Sequence, residues 1–287
     1  MISRRRTLSL LGAAGLAGAG LSFASRGAGA PVAPRAPMPG WPNVGAETAE
    51  FESEGVMLRG GFHAPLEGAP RAGLVLIHGA GAEPRMTGLG GIYGSQGYAV
   101  LTYDKRGAGE SGGVYEGADN VGAANLRLLA ADAAAAMAWA SRHPALQGRP
   151  IGFAGFSQAG WIVPLAIAQG GRSDFVVMWS GPVCKVTEAM AFEARGGNPD
   201  PALAAYIEKV RTEGDVDSEA LLRTLTVPGL WIWGGRDDIV PVDISRERLM
   251  RLIGEGHAFE HMTLPDSGHR LMEQEVAPTL AWLEAAV

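Results

Sequence analysis

Cysteine is almost absent from this sequence of 287 residues, which contains only Cys184. One cysteine cannot form a disulfide within the chain, so the fold must be held together without a covalent cross-link. Cys184 follows an apolar run and enters a loop, a context that favours packing over nucleophilic chemistry.

Basic clusters are also lacking. The formal net charge of the chain is −6, and it becomes −10 without the first 30 residues, which hold four arginines and no acid. In the rest of the chain, lysine and arginine are interspersed with acids, so no basic stripe is available to neutralise phosphates. We therefore expect no nucleic-acid partner.

A set of three converging metal ligands is missing as well. His257 and His261 are four residues apart, but the residues between them have a strand pattern, which lacks the close spacing of a helix turn. The loop at residues 79–84 lacks the third glycine of a dinucleotide-binding loop and has Glu83-Pro84 where a helix should open. We therefore predict no metal and no cofactor.

No apolar run reaches the roughly 20 residues that a membrane-spanning helix needs. The run from Leu8 to about Ala24 is rich in glycine and alanine and follows the arginines at residues 4–6. This pattern predicts an export signal over residues 1–30, and paired arginines are typical of the twin-arginine route. We expect a periplasmic or secreted protein with no stable membrane span in its mature form.

The remaining sequence divides into a linker and one domain. Five prolines between residues 31 and 42 predict an extended, proline-rich linker over residues 31–45. From residue 46 to residue 287 the pattern is that of a folded domain. Its first two strand-like runs, at residues 48–53 and 56–63, flank Glu54-Gly55 and predict an antiparallel hairpin.

Short apolar runs and helical patterns then alternate. The apolar runs lie at residues 74–77, 98–103, 151–155, 175–179, 230–233 and 258–264, and the helical patterns at residues 120–142, 158–169, 243–253 and 271–286. This alternation predicts an α/β fold with a mostly parallel, doubly wound sheet. Residues 186–225 have a helical pattern without a strand, which predicts a small insert that either covers the site or packs on the sheet edge.

A strand, a tight turn and a helix meet at Ser157, within the sequence GFSQA of residues 155–159. This pattern is a nucleophile elbow, which exposes a serine at the start of a helix. The turn needs small residues on both sides, a need met by Gly155 and by Ala159 in place of the commoner glycine. A helix N-terminus favours developing negative charge, and the Gln158 N–H is the expected first oxyanion donor.

A loop of small residues, His78-Gly79-Ala80-Gly81, follows the strand at residues 74–77. Such a loop can bring a second backbone N–H close to a substrate carbonyl oxygen. We predict Ala80 as the second oxyanion donor, with Gly81 as the alternative, and a structural role for His78.

A carboxylate and a base follow later in the chain. Asp237 and Asp238 come just after the strand at residues 230–233, and His269 lies in a loop of small residues after the last strand. A serine nucleophile needs a histidine base, and the histidine needs a carboxylate to hold its tautomer. We predict His269 as the base and one of the two aspartates as its partner.

These motifs, with residues 103–111 (YDKRGAGES), make the chain similar to the α/β-hydrolase superfamily, and in particular to small bacterial serine esterases. The resemblance covers most of residues 48–287 and implies an α/β-hydrolase fold. It places the family's acid, in the pattern G-x-x-D-x-x-V-P, on Asp237 rather than Asp238. We expect Asp104 and Arg106 to fix the local backbone of their loop.

We therefore expect a serine hydrolase that cleaves a small-molecule carboxylic ester through Ser157, Asp237 and His269, with an acyl-enzyme intermediate. One alternative is an aminopeptidase or amidase, in which Glu188, Glu193 or Glu208 of the insert anchors a substrate amine. The other is a binding module that has lost catalysis, although all three residue types are present in the expected order.

Overall fold

The structure is a computed structural model in which residues 35–117, 120–194 and 201–287 are described. The predicted export signal over residues 1–30 lies outside the described residues, as do residues 31–34 of the predicted linker. No helix in the described part of the chain is long and apolar enough to cross a membrane.

In the described residues, one sheet of nine strands forms the centre of the domain. The strands are β1 (Ala36–Met38), β2 (Trp41–Ser53), β3 (Val56–Pro65), β4 (Gly73–Ile77), β5 (Ala99–Tyr103), β6 (Ile151–Phe156), β7 (Val176–Trp179), β8 (Gly229–Gly234) and β9 (Phe259–Leu264). Their order in the sheet is β1-β2-β3-β5-β4-β6-β7-β8-β9. The first three strands are antiparallel and β3 meets β5 antiparallel, whereas all later pairs are parallel. The predicted α/β-hydrolase fold class is confirmed.

The sheet begins earlier than the hairpin predicted from residue 48. Residues 36–45, assigned to the linker from their prolines, form β1 and the start of β2. Proline lacks an N–H and is tolerated at the edge of a sheet, which is where β1 lies. The hairpin turn itself is where the sequence places it, since Glu54 and Gly55 have φ of 48° and 72°.

Helices cover both faces of the sheet. They are α1 (Thr87–Ser95), α2 (Ala123–Arg142), α3 (Ala159–Ala168), α4 (Val186–Glu193), α5 (Pro201–Gly214), α6 (Ser218–Leu222), α7 (Val242–Gly254) and α8 (Val276–Ala286). One apolar core lies between the sheet and α2, α3 and α7, and a second lies between the sheet and α1 and α8. Cys184 belongs to the first core, where burial raises the pKa of its thiol to about 12.

Helix α1 has no counterpart in the sequence prediction, because its glycines weaken any helical pattern. The structure shows what these glycines do. A Cβ atom on Gly90 would lie 2.4 Å from the His63 ring, and one on Gly91 would lie 2.3 Å from the Trp41 ring. Glycine therefore lets α1 pack closely against β2 and β3, a requirement that comes from tertiary contact alone.

The segment predicted as an insert, residues 186–225, contains α4, α5 and α6, and its described residues, 186–194 and 201–225, form no named strand. It lies between β7 and β8 in the chain, so it leaves the sheet at the carboxyl end of a parallel strand. In open α/β sheets, ligand sites form at this end.

Candidate active site

Ser157 occupies the sharp turn between β6, which ends at Phe156, and α3, which begins at Ala159. Its φ is 55°, a left-handed conformation that is uncommon for a residue with a side chain. The Ser157 N–H donates to the Trp179 carbonyl at 2.9 Å, which ties the turn to the neighbouring strand β7. Such strain is typical of functional sites, and here it exposes the hydroxyl above the sheet.

The small residues on either side of Ser157 face each other. A Cβ atom on Gly155 would lie 2.4 Å from the Ala159 Cβ and 3.2 Å from the Ile77 carbonyl oxygen. The turn therefore requires glycine at position 155 and a side chain no larger than a methyl group at position 159.

His269 joins Ser157 to Asp237. Its Nε2 lies 2.9 Å from Ser157 Oγ, and its Nδ1 lies 2.9 Å from Asp237 Oδ2 and 3.1 Å from Oδ1. A carboxylate facing Nδ1 keeps the proton on that nitrogen, so Nε2 can accept the serine proton. The backbone of His269 is also fixed, because its carbonyl accepts a hydrogen bond from Ser180 Oγ at 2.8 Å.

The two neighbouring aspartates, Asp237 and Asp238, have different surroundings. The Asp237 side chain is fully buried, and its Oδ1 also accepts from the N–H groups of Ile239 and Val240 at 2.9 and 2.8 Å. Asp238 is exposed, and no hydrogen bond or ion pair joins its side chain to another residue in the described part of the chain. Only Asp237 is therefore brought to His269.

Ala80 and Gln158 lie beside Ser157 in one cavity. No acceptor among the described residues takes a hydrogen bond from the backbone N–H of either residue. The alternative donor Gly81 does not line this cavity in the described structure. The geometry thus leaves two N–H groups available next to the serine, as an oxyanion site requires.

The cavity has a volume of about 330 Å³ and is walled partly by the helical insert. Ala189 and Met190 of α4 and Leu203 and Tyr206 of α5 line it opposite the sheet. The other residues lining it are Gly117, Asn120, Val121, Trp161, Glu193, Ile239 and Val240. Of the two positions predicted for the insert, the lining residues match the one over the site and not the one at the sheet edge.

The three glutamates considered as amine anchors have different surroundings. Glu188 is held by Arg248 through two hydrogen bonds of 2.6 and 2.7 Å, which lower the pKa of its carboxyl. Glu208 pairs with Arg211 on the exposed side of α5. Glu193 alone of the three lines the cavity that holds Ser157.

The loop after β5 has structural roles at two of its charged residues. Asp104 accepts hydrogen bonds from Arg85, which lower the pKa of its carboxyl to about 2 against the effect of burial. Arg106 forms a buried ion pair with Asp132 of α2 at 2.5 Å. These contacts fix the loop, as the sequence predicts.

His78 and Lys105 lie beneath the site. Burial, together with the Lys105 charge, lowers the pKa of His78 to about 3, so the imidazole is neutral, consistent with a structural role. Lys105 has no role predicted from the sequence, yet its Nζ donates to the Gly79 carbonyl and to Gln158 Oε1, both at 2.7 Å. The one sequence signal was its place in the motif at residues 103–111.

In the residues that the structure describes, no group of three or more histidine, cysteine, aspartate or glutamate side chains is arranged to hold a metal ion. The groups that the structure brings together at the site are Ser157, His269, the Asp237 carboxylate and the backbone N–H groups of Ala80 and Gln158. Such a set is suited to acyl transfer.

Comparison with known proteins gives a family match and several structural matches. The family model described as X-Pro dipeptidyl-peptidase (S15 family) matches residues 42–196. No curated protein matches the sequence at a significant level.

Three solved structures illustrate the structural similarity. The Pyrococcus horikoshii acylaminoacyl peptidase has a TM-score of 0.66 at 17% identity, over 85% of this chain and 42% of the peptidase. A Pyrococcus furiosus esterase has a TM-score of 0.61 at 21% identity, over 84% of this chain and 88% of the esterase. The acetyl xylan esterase from Paenibacillus sp. R4 has a TM-score of 0.66 at 15% identity, over 85% of each chain. This chain thus spans less than half of the acylaminoacyl peptidase but most of each esterase, and at these identities the similarity shows the fold.

Proposed function

Because this chain belongs to the X-Pro dipeptidyl-peptidase (S15) family and is a serine hydrolase of the α/β-hydrolase fold, we propose that it cleaves carboxylic esters through Ser157, His269 and Asp237. The observation that carries the proposal is the unbroken chain of contacts from Asp237 through His269 to Ser157 Oγ. Ser157 in turn lines a cavity that is mostly apolar.

The first half of the reaction forms an acyl-enzyme. His269 Nε2 takes the Ser157 proton as Oγ attacks the ester carbonyl carbon, and the carbonyl oxygen becomes negative. The Ala80 and Gln158 N–H groups donate to this oxygen, while the buried Asp237 stabilises the imidazolium. His269 then gives its proton to the leaving alkoxide, and the alcohol departs.

The second half releases the acid. A water molecule takes the place of the alcohol, His269 accepts one of its protons, and the resulting hydroxide attacks the acyl carbon. The same two N–H groups hold the second oxyanion, and the proton returns from His269 to Ser157 Oγ. No external oxidant, metal or cofactor enters this sequence of steps.

The cavity supports esters with a small apolar acyl group. Its volume of about 330 Å³ is at the small end of the range for ligand sites, roughly 300–1,000 Å³. Most side chains around it are apolar, including Val121, Trp161, Met190 and Val240. The two structures above that match over most of their length are named as an esterase and an acetyl xylan esterase, which favours an ester as the substrate.

The test is hydrolysis of nitrophenyl esters of increasing acyl length by the wild type and by Ser157→Ala. We expect the wild type to prefer short acyl groups and to be labelled by a fluorophosphonate. Ser157→Ala should lower kcat by roughly 10⁴-fold or more and prevent labelling. Ester hydrolysis by Ser157→Ala at the wild-type rate would exclude the proposed nucleophile.

A second candidate is an aminopeptidase or amidase that uses the same three residues. The family match and the Glu193 carboxylate at the cavity favour it, because a substrate amine needs an anion to hold it. Hydrolysis of aminoacyl anilides in preference to nitrophenyl esters would establish it. Glu193→Gln should then weaken anilide hydrolysis, whereas Glu208→Gln, which lies on the exposed side of α5, should not.

A further inference from the structure

Lys105 is a buried lysine next to both proposed oxyanion donors. Only 2% of its surface is exposed, and its Nζ donates to the Gly79 carbonyl oxygen and to Gln158 Oε1 at 2.7 Å each. It comes from the loop after β5, whereas the two acceptors come from the loop after β4 and the start of α3. One side chain therefore links the two segments that supply the N–H groups.

The contact with Gly79 acts on the Ala80 N–H. The Gly79 carbonyl and the Ala80 N–H belong to the same peptide group, which is planar and trans, so they point in opposite directions. Fixing the carbonyl oxygen on the ammonium therefore fixes the direction of the N–H. A charged donor on the oxygen also polarises the peptide group and makes its N–H a stronger donor. On the other side of Gly79, its own N–H donates to Glu83 Oε2 at 3.1 Å.

The contact with Gln158 fixes the other donor. The Gln158 side chain lies between Lys105 and Asn120, since its Nε2 donates to the Asn120 carbonyl at 2.8 Å and to Asn120 Oδ1 at 3.1 Å. With its side chain held at both ends, the residue cannot rotate its backbone N–H away from Ser157 without breaking these hydrogen bonds.

A role in packing alone does not explain a charge at this position. Burying an ammonium is unfavourable unless an anion is close to it, and an apolar side chain would fill the space without that cost. No carboxylate among the described residues forms an ion pair with Lys105; both hydrogen-bond acceptors are neutral oxygens. The nearby Glu83 carboxylate offsets the cost of burial only in part, and the negative oxygen of the tetrahedral intermediate would provide a further counter-charge.

We propose that Lys105 is a positioning residue for the oxyanion site, whose ammonium aligns the Ala80 and Gln158 N–H groups and stabilises the negative charge that forms between them. This inference rests on the proposed function, in which Ser157 attacks an acyl carbonyl. It adds a residue that does not touch the substrate and that acts through two backbone donors.

A dependence on pH follows from the surroundings of Lys105. Burial lowers the pKa of its ammonium to about 8, while the Glu83 carboxylate acts in the opposite direction. The other titratable groups facing it are His78, which is neutral because its own pKa is about 3, and Tyr115, whose ring centroid lies 5.8 Å from Nζ. The ammonium is present at neutral pH and is lost as the pH rises through about 8, so kcat should fall in that range.

The experiment compares Lys105→Met with Lys185→Met, an exposed lysine at the start of α4 that serves as the matched control. We expect Lys105→Met to lower kcat roughly 10- to 100-fold, somewhat less than the loss of an oxyanion donor itself, and to change KM by less than about threefold. Its affinity for an alkyl boronic acid, which forms a tetrahedral adduct on Ser157, should fall by a similar factor. The fall in kcat above pH 8 should be absent from this variant and present in Lys185→Met.

Gln158→Met provides a second variant, which keeps the backbone N–H but removes the side-chain acceptor. It should lower kcat and boronic acid affinity in the same direction as Lys105→Met, and it tests the proposal if Lys105→Met does not fold. Wild-type kcat and boronic acid affinity in either folded variant, with an active wild type, would overturn the role of Lys105. A wild type that no fluorophosphonate labels would instead overturn the proposed function.

Discussion

At the scale of single residues, the contacts of Asp237 distinguish it from its neighbour Asp238. Its carboxylate is buried, accepts two backbone N–H groups through Oδ1 and lies 2.9 Å from His269 Nδ1. The next residue, Asp238, is exposed and has no such contacts in the described structure. Two adjacent residues of the same type thus have different surroundings, and only one of them can hold the histidine tautomer.

This difference predicts different effects for the same substitution. Asp237→Asn should lower kcat by roughly 10⁴-fold, because an amide in place of the carboxylate favours the wrong tautomer of His269. Asp238→Asn is the matched control and should retain kcat within about twofold. Steady-state ester hydrolysis by the two purified variants measures the difference. Equal losses in both variants would show that Asp237 is not the partner of His269.

At the scale of elements, the junction of β6 and α3 decides the geometry of the proposed nucleophile, Ser157. The strand and the helix approach so closely that the Gly155 hydrogen and the Ala159 methyl group face each other, with the left-handed Ser157 between them. The contact between the two elements, rather than the serine alone, holds Oγ in position to meet His269.

Adding one methyl group at this junction should disturb both stability and activity. In Gly155→Ala, the new Cβ would lie 2.4 Å from the Ala159 Cβ, which is attached directly to the backbone and cannot turn away. We expect a loss of about 1–3 kcal/mol in the free energy of unfolding, with a slower reaction with fluorophosphonate. Gly88→Ala, in α1, has no atom within 4 Å of its new Cβ and should be neutral or slightly stabilising. Denaturant unfolding that ranks the two variants equally would contradict the close contact.

At the scale of the whole molecule, buried histidines connect stability to pH. His63 lies in β3 against α1 and is 4% exposed, and burial with the nearby Arg85 charge lowers the pKa of its imidazole to about 4. In the unfolded chain the same group is protonated below its ordinary pKa of 6.5. Between these two values the unfolded state binds more protons, so the free energy of unfolding decreases as the pH falls.

The effect of His63 is measurable by denaturant unfolding at several pH values. We expect its contribution to stability to be complete above pH 6.5 and to fall by roughly 3 kcal/mol as the pH drops to about 4. In His63→Leu, which cannot be protonated, the decrease over this range should be smaller by that amount. The same pH dependence in the variant and the wild type would show that His63 is protonated in the folded protein.

Much of the architecture could be predicted because it depends on patterns of neighbouring residues along the chain. The apolar runs at residues 74–77 and 151–155 match β4 and β6, since a parallel strand buried on both faces must be apolar throughout. Helix α1 and strand β1 could not be predicted in this way. Glycine and proline usually break regular structure, and they are accepted here because of the strands packed against α1 and the edge position of β1. Export through residues 1–30 stays a prediction.

The sequence by itself determined the residue types of the proposed chemistry, which are a serine in an elbow, a later aspartate and histidine, and a loop of small residues, because these patterns depend only on neighbours along the chain. The tertiary structure decided between Asp237 and Asp238, between a covering and a peripheral insert, and among Glu188, Glu193 and Glu208. It also brought Lys105 to Gly79 and Gln158, which are 26 and 53 residues away in the chain. Such choices depend on burial and on partners from distant segments, which no local pattern records.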